Sequence, residues 1–246
     1  MLRGFAPRSI HSSSAEHIGL ISPLCGLNYD PRRLQGLYSE QSLEVIQDVQ
    51  SITQTYLARW KCMTDSDPTA HAQVESLDAQ IQETYACVLR RPSAHTDWIY
   101  ESCRLAALIY CRSIAHSTPL TNPTTLMQTQ MVGPDLTDTS LISALHAAIM
   151  HTDTRGCWGD LRGVFMWACL VGGAASWPSS RGHEAGHEAG SAPAQAWVRK
   201  CFALYAVRAA ASVPFDHAST MIDVLRTMLL VRHWKEVGIA AQGTRV

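Results

Sequence analysis

Apolar residues recur at three- and four-residue steps through Leu43, Ile46, Val49, Ile52, Tyr56 and Trp60, predicting an amphipathic helix over about residues 40–61. The stretch Thr64 to Thr69, with Asp67-Pro68, ends it. A second helix is predicted through Val74, Leu77, Ile81, Tyr85 and Val88, stopping before Pro92, whose ring disfavours helix at the preceding residue. A short turn between two such helices predicts an antiparallel pair. A third runs from about Asp97, a suitable N-cap, to His116. Its apolar residues (Trp98, Leu105, Ala106, Leu108, Ile109, Ile114) wrap most of the cylinder, which marks a central helix.

Pro119 to Asn122-Pro123 then opens a loop that Gly133-Pro134 closes. Short helices are expected at about 138–151 and 158–175, and two longer ones at about 193–212 and 215–236. Val213-Pro214 separates the last two, and Asp216 is a candidate cap for the final one. No β-alternation of useful length and no solenoid repeat is evident. The expected fold is all-α: an irregular multi-helix globular domain of about seven helices with no substantial sheet. Residues 1–36 read as a loosely ordered N-terminal segment and 37–246 as a single helical domain. A Ser, Gly, His, Glu and Ala-rich connector of low complexity interrupts it at 177–193.

Composition narrows the function little. The chain has 246 residues, 20 basic and 21 acidic side chains, and a formal net charge of -1. That balance excludes a mostly disordered chain and supplies no basic stripe for a phosphate backbone. The longest apolar run, Gly163 to Trp177, is shorter than the ~20 residues a spanning helix needs, so no membrane segment is expected. The eight cysteines are scattered through apolar helical patterns, where a free thiol behaves as a small hydrophobe, pointing to a reducing compartment. Met1 to Ala15 holds Arg3, Arg8 and several serines with no acid before Glu16, a composition similar to a mitochondrial presequence; a frayed terminus is the plainer reading.

Within the connector, His183-Glu184-Ala185-Gly186-His187 satisfies the HExxH pattern. On a helix, His183 and His187 face one side and can share a zinc ion while Glu184 serves as general base of a hydrolase. The local sequence opposes that helix. Gly182, Gly186 and Gly190 recur every four residues, each costing about 1 kcal/mol relative to alanine. The segment is also a tandem His-Glu-Ala-Gly repeat with no apolar face to anchor it. A third ligand, His151 or His217, could be nominated only arbitrarily. No resident metal or cofactor is therefore assigned, and His183 and His187 stand as candidate ligands only. No GxSxG elbow, phosphate loop or dinucleotide fingerprint is present, and Gly156-Cys157-Trp158-Gly159 lacks the phosphate-loop spacing.

Three further segments, in order, carry a resemblance. They are Glu101 to Tyr110, in which an acid and Arg104 punctuate an apolar surface; Phe165 to Ala175, a Trp-containing helix running into Val171-Gly172-Gly173; and Ala196 to Phe202, with Trp197. Together they resemble the regulatory domain of fungal transcription factors that carry an N-terminal zinc binuclear cluster. The resemblance covers about residues 95–237 and implies a helical domain in the nucleus. It implies regulation of transcription through protein contacts, including contacts with a second copy of the chain, or through a small effector between helices. It implies no catalytic residue. Arg104, Trp167, Gly172, Gly173 and Trp197 are expected to be structural anchors. Glu101, one turn before Arg104, is the expected partner of that arginine. One departure is plain: the zinc cluster needs six cysteines in closely spaced pairs, and no Cys-x-x-Cys occurs here. This chain alone is not expected to bind DNA. A stand-alone helical scaffold is the remaining alternative.

Overall fold

The computed structural model describes residues 22–24, 38–64, 70–94, 96–121, 127–132, 135–177 and 191–243. The apolar stripe of the first predicted helix closes as α1 (Glu40–Thr64), burying Leu43, Ile46, Val49, Ile52, Tyr56 and Trp60. The second forms α2 (Ala70–Arg90), which buries Ile81, Tyr85 and Val88. Ion pairs at both ends fix the two as antiparallel. Arg91, just past α2, binds Asp48 at 2.6 Å and Glu44 at 2.8 Å near the start of α1. Arg59, near the end of α1, binds Asp78 at 2.5 Å.

The third stretch is α3 (Trp98–Ala115), which Asp97 caps by accepting from the Tyr100 N–H at 2.9 Å. Tyr100 to Cys111 is buried without a break, so this helix is surrounded. It packs against α1, α2, α4 (Leu141–Met150) and α5 (Arg162–Ala175). A single apolar core runs from α1 through α6 (Ser191–Ala211) to α7 (Ala218–Gly243). The fold is all-α, with seven α-helices among the described residues. No described helix is long and apolar enough to cross a membrane.

Three local details differ from the sequence expectation. Part of the expected loop is an antiparallel hairpin, β1 (Met127–Val132) on β2 (Asp135–Ser140), with Val132 opposite Asp135. Threonines at 129, 137 and 139 and Val132 suit extended backbone, and Gly133-Pro134 punctuates it. The hairpin delays α4 to Leu141, three residues later than the expected start. Second, Asp216 does not cap the final helix: it lies within a 3-10 turn, Phe215–His217, that precedes α7. Third, α5 starts at Arg162 because Cys157, Trp158 and Gly159 all take positive φ, reversing the chain just before it. Left-handed backbone strains a bulky residue. Trp158 makes two hydrogen bonds there: its indole N–H donates to Thr152 at 2.8 Å and the Tyr38 hydroxyl donates to its carbonyl at 3.0 Å, while the same hydroxyl accepts from the Asp160 N–H at 3.2 Å.

Candidate interaction surface

The residues singled out by sequence divide sharply between core and water. Arg104 is 2% exposed, and its guanidinium meets Glu101 twice, Nε to Oε2 at 2.8 Å and Nη2 to Oε1 at 2.6 Å. Glu101 also accepts from the Ser93 hydroxyl at 3.1 Å and the Ala94 N–H at 3.2 Å. Burial by itself pushes the Glu101 carboxyl up, but Arg104 and the two further donors outweigh it and hold the group below the usual range. This pair fastens the link between α2 and α3.

Trp167 is fully buried, edge-on to Tyr110 at 5.8 Å, and its indole N–H meets no acceptor among the described residues. Gly172 explains its own lack of a side chain. A Cβ built there would lie 2.5 Å from Cζ of Phe202, whose ring occupies that space. Gly173 is less crowded, its nearest such neighbour being the Phe202 Cβ at 3.6 Å. Both glycines lie inside α5, so they permit close approach rather than end the helix.

Trp197 requires a correction. It was expected to anchor α6 in the core, yet it is 65% exposed. Phe202, five residues on, points to the opposite side and fills that role against Gly172 and the His146 ring. On α6 the buried positions are Phe202, Ala206 and Ala209, at four- and three-residue steps. Trp197, Leu204 and Val207 occupy the other side, in water.

The same division repeats on α7. Val224, Val231 and Lys235 are buried, and the Trp234 ring stacks on Trp60 of α1 at 5.2 Å. At 100° per residue, Ile222, Leu225, Leu229, Leu230 and Val237 fall on the far side, all exposed. Between the helices, Phe215 is 92% exposed. Both helices thus carry apolar residues on two sides, with Lys200 and Arg208 among them on the exposed side of α6 and Arg226 and His233 on that of α7. This face was missed in the sequence, where helical periodicity gives the apolar positions and not which of them the fold covers.

Among the described residues the titratable groups form no comparable constellation. No group of three or more His, Cys, Asp or Glu side chains is placed to hold a metal ion. Burial pushes the thiols of Cys103, Cys111 and Cys169 upward and so keeps them protonated. His183, Glu184 and His187 lie outside the described residues, as does nearly all of the connector. Comparisons with protein-family models, with curated proteins and with solved structures find no match.

Proposed function

We propose that the chain is a helical regulatory domain of the fungal transcription-factor type, working through protein contacts in the nucleus and leaving DNA reading to another module. The observation that carries the reading is the apolar face of α6, Phe215 and α7. Large apolar side chains grouped along one side of a helix and left in water mark a site that another protein covers. The family-type role draws support from the three segments that resemble that family. They supply the central helix α3, the helix α5 packed on it, and the stretch of α6 whose Phe202 fills the space over Gly172. What is similar is therefore the packed centre of the molecule.

The test is a tethering experiment. Fused to a heterologous DNA-binding module upstream of a reporter, the wild-type chain should change transcription several-fold relative to the module alone. A Leu204→Asp/Leu229→Asp double variant, shown by circular dichroism to keep its helices, should return the reporter to the level of the module alone. A silent wild-type fusion, or a folded double variant with full effect, would overturn the proposal.

A further inference from the structure

We infer that α7 is a strap that opens from the helical body as a unit, hinged at residues 212–214 and latched by Lys235 against Ser113 of α3, and that acid releases the latch. This goes beyond the contact role proposed above and does not depend on it. It follows from how α7 is attached and from what the latch is made of.

The attachment is narrow. On α7, as far as Val237, the buried residues are Val224, Val231 and Lys235, seven and four residues apart, so a single stripe meets the body. Beside that stripe, the half-buried Trp234 stacks on Trp60 of α1. The ion pairs Asp223–Arg226 at 3.2 Å and Arg232–Glu236 at 2.8 Å both lie within the helix, so they stiffen it without holding it to the body. At its start the backbone bonds locally. The Ser212 N–H donates to the Arg208 and Ala209 carbonyls, Val213 to Ala210 and His217 to Pro214, while Pro214, Phe215 and Asp216 are exposed. A helix with few buried apolar residues and an exposed link belongs to the low-stability end of a molecule and opens before the rest. The contrast is α3, buried without a break from Tyr100 to Cys111.

The latch is a buried cation. The Lys235 ammonium donates to the Ser113 hydroxyl in the last turn of α3, and that hydroxyl donates to the Thr118 carbonyl at 2.6 Å. The carbonyl end of a helix favours positive charge, yet burial outweighs it and pulls the Lys235 pKa down to about 7. The flanking turns do not restore it. Arg59 of α1 is held by Asp78, and Glu236 of α7 by Arg232. His116, just past α3, lies edge-on to Tyr85 of α2 at 5.4 Å, and His233 lies against the Trp234 ring. Lys61 and Arg112 are themselves cations. In the open strap Lys235 returns to water and to its ordinary value of 10.5. The open state therefore binds the extra proton between about pH 7 and that value. Each pH unit of acid in this window favours opening by about tenfold, and the effect levels off below about pH 7.

Hydrogen–deuterium exchange of the full chain, read by mass spectrometry with labelling times scaled to equal intrinsic exchange, tests the inference. Peptides from α7 should be at least about tenfold less protected than those from the buried part of α3. From about pH 6.5 to about pH 8.5 the α7 peptides should gain roughly 20-fold in protection. Lys235→Met keeps the stem and removes the charge, so α7 should be protected at both pH values and that gain should vanish. Val231→Ala removes an apolar contact of the strap. It should lower α7 protection by the same factor at both pH values and keep the gain. Circular dichroism checks that each variant retains its helices. α7 peptides as protected as those of α3 would mean that the helix opens only with the whole molecule, which overturns the inference. A pH gain that survives in Lys235→Met, or α7 exchange unaltered in Val231→Ala, overturns it as well.

Discussion

At the scale of single residues, two buried charges decide more than their number suggests. Glu101 and Arg104 satisfy each other, and Ser93 and Ala94 add donors to the carboxylate. Removing one partner of such a pair leaves a buried charge uncompensated, at about 3–5 kcal/mol. Glu101→Gln should therefore lower unfolding free energy in urea by that amount. Because the Glu101 pKa is lowered, the pair's contribution is complete at neutral pH and is lost as pH falls through that lowered value. Lys235 is the opposite case. Its ammonium donates to the Ser113 hydroxyl, which itself donates to the Thr118 carbonyl at 2.6 Å, and burial pulls its pKa down to about 7. Between pH 7 and the ordinary lysine range the unfolded chain binds the extra proton, so stability rises with pH across that window. Below pH 7 both states are protonated and the full cost of burying the charge is present. Lys235→Met should raise Tm at pH 7 and flatten the rise in stability between pH 7 and pH 10, read by thermal denaturation across a pH series.

At the scale of elements, the sequence pattern located helices well and faces less well. The buried set of α1 follows the three- and four-residue steps of its apolar residues, because one side of that helix is polar and only one orientation buries the rest. On α6 large apolar residues lie on both sides, so the same rule admits either orientation. Tryptophan's size favoured Trp197 as the core residue. The choice fell instead to Phe202, whose ring fits the gap that Gly172 leaves on α5. Phe202→Ala should cost about 3–5 kcal/mol, whereas Trp197→Ala should change stability by less than about 0.5 kcal/mol, both measured by urea unfolding. The hairpin was missed for a related reason. Strand propensity is weak and depends on pairing, and neither six-residue strand carries an alternation strong enough to predict it alone.

At the scale of the whole molecule, a well-filled centre contrasts with a C-terminal pair of helices that is covered on one side. α3 and α5 are enclosed, and their buried thiols and the Glu101–Arg104 pair are positioned for packing. The exposed apolar side chains of α6 and α7 lie in water, and the proposed role as an interaction domain rests on them.

The sequence by itself determined the all-α class, the positions of most helices, the capping role of Asp97, the ion pair of Arg104 with Glu101 and the central place of α3. Each of these depends on neighbours within about one helical turn, or on an apolar stripe with a single way to be buried. Tertiary structure decided which side of α6 and α7 faces the core, that Phe202 rather than Trp197 fills the space at Gly172, and that Lys235 is buried against Ser113. Those outcomes turn on the shape of surfaces brought together from distant parts of the chain, and local periodicity holds no record of that shape.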